Sequence, residues 1–390
     1  MPTQSPHRMA KRAARILLVG GGHSHVEVLR RFALEPDAGT ALTLVSPDAT
    51  TPYSGMLPGT VAGLYTPAQA SIDLVPLTAW AGARFIRDEV VSLDLYSKTV
   101  SLATGNLEAF DFISIDIGST PPVTVPGAHQ YTLGVKPVPA FLAAWDEIRA
   151  DAASGKLSTI AVVGGGAGGV EVLLAMQYRL HLELGDAAPR FALITDQSHV
   201  LAQHAAGVRA RMGRILVARG VVLHLDSAAI AVERNTVIVK HGRRIAADRI
   251  IWATGAAPAG WLAASGLGCD AAGFIAIDAD LKSVTHPFVF AAGDCASQID
   301  APRPKSGVFA VRQGPPLAAN LRRVVHDVPL HQHRPQRHAL ALISTGNRHA
   351  IASWTSLVVE GDWVWRWKDW VDRVFMAKYV PPKVAPTTSV

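Results

Sequence analysis

Two glycine triplets carry the chemistry that can be expected of this chain. Gly20-Gly21-Gly22 follows the aliphatic run Ile16 to Val19, Gly164-Gly165-Gly166 follows Ile160 to Val163, and each opens a helix-like stretch. In a strand, turn and helix of that order, the backbone N–H groups of the turn and the first helical residues converge on one spot, where they can hold a pyrophosphate. One such loop is a weak signal. Two, about one domain apart, predict that two dinucleotides are held face to face so that electrons pass between them.

The second loop is the cleaner. Gly164, Gly166 and Gly169 stand where the tight turn, the phosphate approach and the helix packing need them. Its second strand, Phe191 to Thr195, ends at Asp196, a carboxylate placed to bond an adenosine ribose 2′-OH and repel a 2′-phosphate, which favours NADH over NADPH. In the first loop Gly20 and Gly22 fill two roles, but His25 takes the third place and Ser46 the acidic position, where a hydroxyl still offers one ribose hydrogen bond. A plain strand-to-helix turn is the alternative there. His23 and His25, at i and i+2, do not share a helix face, so no metal site is expected.

Further along, Phe288 to Asp294 ends an apolar strand on Gly293-Asp294, an aspartate that can bond the ribitol hydroxyls of a flavin. Lys305 to Gly314 then reads as a helix start, and its N–H groups together with Lys305 would stabilise the negative charge of a reduced flavin. Arg312 reads as a solvated charge. Glu171, just inside the helix of the second loop, has two readings: a carboxylate favoured by the helix dipole, or a group at the nicotinamide.

The elements that must position these residues repeat one plan. Each half reads as strand, glycine loop, helix and strand, then a later strand ending in a glycine turn and proline: Asp111 to Ile117 before Gly118-Ser119, and Arg249 to Ala253 before Thr254-Gly255. The fold class is therefore α/β, with two Rossmann-like domains, the second inserted in the first because Phe288 to Asp294 returns to a flavin-type signature, plus a small C-terminal α+β region. The expected boundaries are a basic tail at 1–14, a flavin domain at 15–125 and 270–328, a nicotinamide domain at 126–269, and a C-terminal region at 329–390.

Pro47 to Gly63 is expected to be turn-rich, Ala140 to Ala150 helical and Pro329 to Arg337 a linker, with His326, His331, His333 and His338 in solvated loops. A hairpin around Gly346-Asn347 follows, then a tryptophan-rich amphipathic helix, Asp362 to Tyr379, with Trp367, Trp370, Val371, Val374 and Phe375 on one face. That face suits a membrane interface, the flank of the flavin domain, or the seam of a homodimer.

With 390 residues, 49% hydrophobic and 17% charged, the chain is well buried and has no disordered bulk. Its net charge of +6 is too diffuse for a nucleic-acid groove. Cys269 and Cys295 are the only cysteines, which excludes a disulfide scaffold and a zinc spacing, and a reducing cytoplasmic setting is the simplest reading. Met1 to Arg15 lacks the apolar core of a signal peptide, and no run of residues is apolar enough to span a bilayer.

From about Arg15 to Tyr379 the chain resembles the two-dinucleotide-binding-domain flavoproteins of the pyridine nucleotide-disulfide oxidoreductase superfamily, and within it the type II NADH dehydrogenase branch. Gly20 to Val26, Thr51 to Gly59 and Lys305 to Pro316 look most like the flavoprotein module fused ahead of selenide, water dikinase, and no kinase half is expected within these 390 residues. The resemblance implies that FAD meets Gly20, Gly22, His23, Ser24, Ser46, Pro52, Tyr53, Pro58, Ser119, Gly293, Asp294 and Gly307, with the Pro52 to Pro58 loop beside the isoalloxazine. It implies NADH at Gly164, Gly166, Gly169, Asp196 and Gly255, and an acceptor side lined by the Ala-x-x-Gln-Gly pattern of Ala310, Gln313 and Gly314.

The activity so implied is hydride transfer from NADH to FAD and electron delivery to a quinone-like acceptor, with Glu171, Lys305 and Gln313 in catalytic roles and peripheral membrane contact through the C-terminal helix. Tyr53-Ser54-Gly55-Met56 stands where a disulfide reductase would carry its two cysteines, so that activity is not expected. Two alternatives remain: an oxidoreductase of sulfur or selenium species, and a sensor that binds FAD and NADH without turnover. Cys295 is expected to be a buried packing residue.

Overall fold

The computed structural model describes residues 12–122 and 124–382, so most of the basic N-terminal tail lies outside the described residues. Its frame is a pair of five-stranded parallel sheets built to one design. In the first the order is Val289–Ala291, Phe112–Ile115, Ala14–Val19, Thr40–Ser46 and Arg84–Arg87. In the second it is Leu133–Gly134, Arg249–Trp252, Thr159–Val163, Arg190–Ile194 and Val222–His224. Each central strand feeds a glycine loop and a helix, His23–Leu34 in one and Ala167–Leu184 in the other. The crevice at its carboxyl end is the topological switch point where such sheets bind ligands.

All-parallel sheets are covered on both faces, so their strands read as unbroken apolar runs, here Ile16 to Val19 and Ile160 to Val163, all at most 3% exposed. In each unit a three-stranded antiparallel meander, Val90–Ala109 or Ala229–Ala246, precedes the return strand Phe112–Ile115 or Arg249–Trp252, which extends the duplication beyond the glycine loops. One core joins Leu17, Leu44 and Ile113 to Val289, Phe290 and Leu321. The chain thus leaves the first unit, builds the second around Ile160, Leu193 and Ile251, and returns.

Three segments differ from the sequence reading. Pro47 to Gly63 contains a short strand, Thr50–Pro52, a single 3-10 turn, and a helix, Leu57–Val61, with Pro58 in its first turn, where the missing N–H costs nothing. Pro329 to Arg337 has no regular structure but is pinned: Asn320 bonds His331 through N–H and C=O, and His333 N–H donates to Ala279. The hairpin at Gly346 gains a third strand, giving Ala341–Ser344, Ala350–Trp354 and Leu357–Gly361.

The C-terminal helix, Asp362–Ala377, turns a different face inward from the one its tryptophans suggest. Val364, Lys368, Asp372 and Phe375, spaced at i, i+4, i+8 and i+11, are all buried. Trp363, Trp367, Trp370 and Val374 form the opposite stripe, and Trp370 is 62% exposed. Two charges are preferred to two indoles inside because Lys368 and Asp372 satisfy each other at 2.7 Å and Lys368 also donates to the Gly55 carbonyl at 2.7 Å.

Candidate dinucleotide sites

The two cradles show the same backbone construction. Gly20 and Gly164 both have positive φ, and a Cβ on either would lie 2.5 or 2.3 Å from a carbonyl at the end of the neighbouring strand, Asp116 or Ala253. Only glycine lets the turn pass that close. Gly169 is equally constrained, since a Cβ there would meet the Gly164 carbonyl at 2.2 Å. Gly166 and Gly168 face open space, and the helix they start has no side-chain cap, so its first N–H groups are free to meet an anion. Asp196 lies exposed just past the strand Arg190–Ile194, and Gly255 sits at the turn after Arg249–Trp252 beside Pro122.

In the first cradle His25 replaces the third glycine and is wholly buried. Its Nδ1 lies 2.7 Å from the Gly20 carbonyl, which can only accept, so Nδ1 carries the proton and Nε2 accepts from the Ser114 hydroxyl at 2.8 Å. Burial drives its pKa down to about 4, and the ring is a neutral brace for the loop. Ser24 is also buried and donates through Oγ to the Ala310 carbonyl at 2.8 Å, tying the loop helix to the helix Gly307–Val325. Those two helices touch where Gly314 meets Glu27, and a Cβ at Gly314 would lie 2.6 Å from the Glu27 Cβ. Ser46 is 5% exposed at the end of its strand.

Around this cradle the other expected flavin residues converge. Asp294, in the 3-10 turn after Val289–Ala291, accepts from Lys136 Nζ at 2.9 Å and Ser119 Oγ at 3.3 Å. The Gly293 N–H donates to Gln313 Oε1 at 2.7 Å, so Gln313 fixes the turn that presents Asp294. Lys305 donates to the Ala296 carbonyl and lies 4.0 Å over the Phe274 ring, and burial lowers its pKa. Gly293, Asp294, Lys305, Phe309 and Gln313 line one cleft of about 400 Å³, including its open mouth. Gly307 begins the helix against Ser54, and Pro52 and Tyr53 line a smaller pocket of about 200 Å³.

A chain of buried and half-buried polar groups runs from one cradle to the other, and sequence reasoning missed its central pair, Lys368 and Asp372. The His23 ring lies 5.4 Å from Tyr53 and 6.2 Å from Phe375, its Nε2 is buried without a partner, and burial brings its pKa down to about 4. Burial, aggravated by Asp372, raises the Tyr53 hydroxyl. Next come the Asp372–Lys368 pair and then Glu171, whose Oε1 accepts from the Ser344 N–H at 2.7 Å. Burial pushes Glu171 up to about 7 although Lys368 opposes this. Lys368 and Asp372, an opposite-charge pair at i and i+4 on this helix, were the available signal.

Among the described residues no group of His, Cys, Asp and Glu could hold a metal ion. Cys295 is fully buried, its Sγ faces the Ala292 and Ile115 carbonyls, and burial pushes its thiol up to about 12, so it is an inert packing residue. Free backbone donors and open space at Gly166 and Gly168 fit a dinucleotide in the second cradle. Close-approach glycines, an unpartnered His23 nitrogen and the Asp294 carboxylate fit one with a flavin ring system in the first, where Asp116 already holds the Ser24 and His25 N–H groups.

A family model described as pyridine nucleotide-disulphide oxidoreductase matches residues 14–314. Among curated proteins the chain is similar to an NADH dehydrogenase-like protein of Mycobacterium tuberculosis, 26% identical over 56% of each chain. A demethylphylloquinone reductase of Synechocystis is 26% identical over 58% of this chain and 57% of its own. The matches therefore span about half the length of these relatives. Among solved structures, the sulfide:quinone oxidoreductase of Aquifex aeolicus has the same fold with a TM-score of 0.80 at 17% identity, covering 94% of this chain and 91% of its own. NDH2 of Plasmodium falciparum, solved with NADH, reaches 0.78 at 14% identity over 96% and 100%. The chain belongs to the pyridine nucleotide-disulphide oxidoreductase family, with FAD and NAD(H) as its cofactors.

Proposed function

We propose that the protein is a FAD-dependent NADH dehydrogenase that passes two electrons from NADH through the flavin to a quinone. The observation that carries this reading is the pairing of two glycine cradles on duplicate parallel sheets with Tyr53-Ser54-Gly55-Met56, free of cysteine, where a disulfide reductase would carry its dithiol. FAD, when bound, supplies the two-electron chemistry. The chain's own residues then have positional and electrostatic tasks, because hydride transfer between stacked rings needs no protein nucleophile. Asp196 would select NADH, and Asp294, held by Lys136, would orient the ribitol.

Glu171, near neutrality and buried between the nicotinamide-domain helix and the C-terminal helix, is suited to hold or release a proton as electrons leave. Lys305 and the start of the helix Gly307–Val325 would stabilise charge on the flavin side, and Gln313 would fix the Gly293-Asp294 turn on the acceptor side. The demethylphylloquinone reductase among the relatives supports a quinone as acceptor. The outward stripe of Trp363, Trp367, Trp370 and Val374, flanked by Arg366 and Arg373, supports peripheral docking on a membrane. Among the described residues no helix is long and apolar enough to cross one.

Anaerobic mixing with NADH tests the first half-reaction: the flavin absorbance should bleach promptly, and unchanged absorbance despite NADH binding would refute an enzyme. A steady-state comparison of quinones, ferricyanide, oxygen and polysulfide tests the second, and quinones should give the highest kcat/KM.

A further inference from the structure

The helix His23–Leu34 has no side-chain cap of its own, because its N-cap is Gly22. The cap comes instead from Asp116, which ends the neighbouring strand and is 2% exposed. Its Oδ2 accepts from the Ser24 N–H at 2.8 Å and the His25 N–H at 3.3 Å. The same carboxyl group lies where a Cβ on Gly22 would meet it at 2.2 Å, and a Cβ on Gly293 at 2.3 Å. It therefore sits between the glycine loop and the Gly293-Asp294 turn, inside the cradle where a diphosphate would bind, and already holds two of its N–H groups. In the second cradle the matching position is Ala253, and no carboxylate intervenes.

We propose that Asp116 is the neutral acid in the flavin-loaded protein, so that FAD uptake at the first cradle carries one proton from solvent onto this carboxyl. The reasoning is electrostatic: a buried carboxylate beside an incoming diphosphate is a like-charge pair, which is relieved most cheaply by protonation. Every group facing Asp116 agrees. His25, from the loop helix, is neutral and braces Gly20; Asp294, from the adjoining turn, adds negative charge; Cys295 is a buried thiol. The cations near that turn are otherwise engaged, Lys136 by Asp294 and Lys305 by the Ala296 carbonyl. Burial first, and then Asp294, already pushes the Asp116 carboxyl up to about 7 against the two N–H donors.

The inference rests on the flavin occupying the first cradle, and its test separates the two. Full-length protein stripped of flavin is titrated with FAD by calorimetry at pH 8 in two buffers of different ionisation enthalpy. About one proton should be taken up per FAD, and the Kd should weaken by up to about tenfold per pH unit above pH 7. In Asp116→Asn the uptake should vanish and the Kd become independent of pH. FAD binding without proton uptake, or uptake retained in Asp116→Asn, overturns the proposal, whereas failure to bind FAD at any pH overturns the flavin site itself. Should the variant not fold, the flavin-loaded natural protein still decides: its infrared spectrum should show a buried carboxylic acid band assignable to an aspartate, and absence of that band refutes the proposal.

Discussion

Replacing Lys368 with methionine should undock the C-terminal helix without unfolding the two nucleotide domains. Methionine keeps the length of the stem but removes the ammonium, and with it the bonds to Asp372 and to the Gly55 carbonyl, both 2.7 Å long. The Lys368 and Asp372 side chains are 9% and 5% exposed, so solvent does little to screen the stranded charge. Breaking one partner of a pair buried this well costs about 3 to 5 kcal/mol. Because the helix is held by its own contacts, the loss should appear as local opening. At about 1.4 kcal/mol per decade, amide exchange in residues 362–377 should accelerate by roughly two to three and a half orders of magnitude.

The pH dependence has a definite sign. Burial already raises Asp372, and losing the cation raises it further. A carboxyl whose folded pKa lies above its unfolded value favours folding below it and opposes folding above it, so the variant should recover protection as the pH falls. Lys368→Met combined with Asp372→Leu should restore most of the protection, since no charge is left stranded. Hydrogen exchange followed by mass spectrometry reads all three proteins. Unaltered protection in the single variant, or a double variant as labile as the single, would refute the idea that this pair holds the helix inward.

Gly169→Ala places a methyl group 2.2 Å from the Gly164 carbonyl and should abolish NADH binding, read by fluorescence, while FAD content is retained. Glu171→Gln should remove an inflection near pH 7 from the rate of flavin reoxidation by quinone; persistence of that inflection would assign it elsewhere. Trp370→Ala, at a side chain 62% exposed, should change stability by no more than about 0.5 kcal/mol yet weaken binding to anionic liposomes in a flotation assay. Cys295→Ser should leave NADH-dependent turnover unchanged, and a thiol reagent should not label Cys295 in the folded protein.

What could be read from the sequence follows from how local each constraint is. The glycine loops are legible because a Cβ there would lie 2.5 Å from a carbonyl, so only glycine fits, and the glycines themselves stand within a few residues of one another. The strands before them are legible because burial on both faces leaves a continuous apolar run. The face of the C-terminal helix is not local. Hydropathy alone would turn Trp367 and Trp370 inward, but the carbonyl of Gly55, more than three hundred residues upstream, decides that Lys368 goes there. Asp116 escapes notice for a related reason: it reads as the end of a strand, and only folding brings it onto the amides of Ser24 and His25. A lone acidic residue within Ile113-Ser114-Ile115-Asp116-Ile117 was the visible clue. Glu171 illustrates the same limit, since its partner is a backbone N–H of the distant Ser344.

The C-terminal sheet and helix grip both halves at once. The turn at Gly346 sits against the Leu174 carbonyl of the nicotinamide-side helix, and Glu171 on that helix accepts from Ser344. Farther along the chain Lys368 holds Gly55 and Tyr379 reaches Glu27, both on the flavin side. A bracket bolted at two ends leaves little play for rotation of one nucleotide lobe against the other. The spacing between the two bound cofactors would then be set at folding rather than at each turnover, and loosening the bracket should slow the proposed electron transfer even where every cofactor contact is intact.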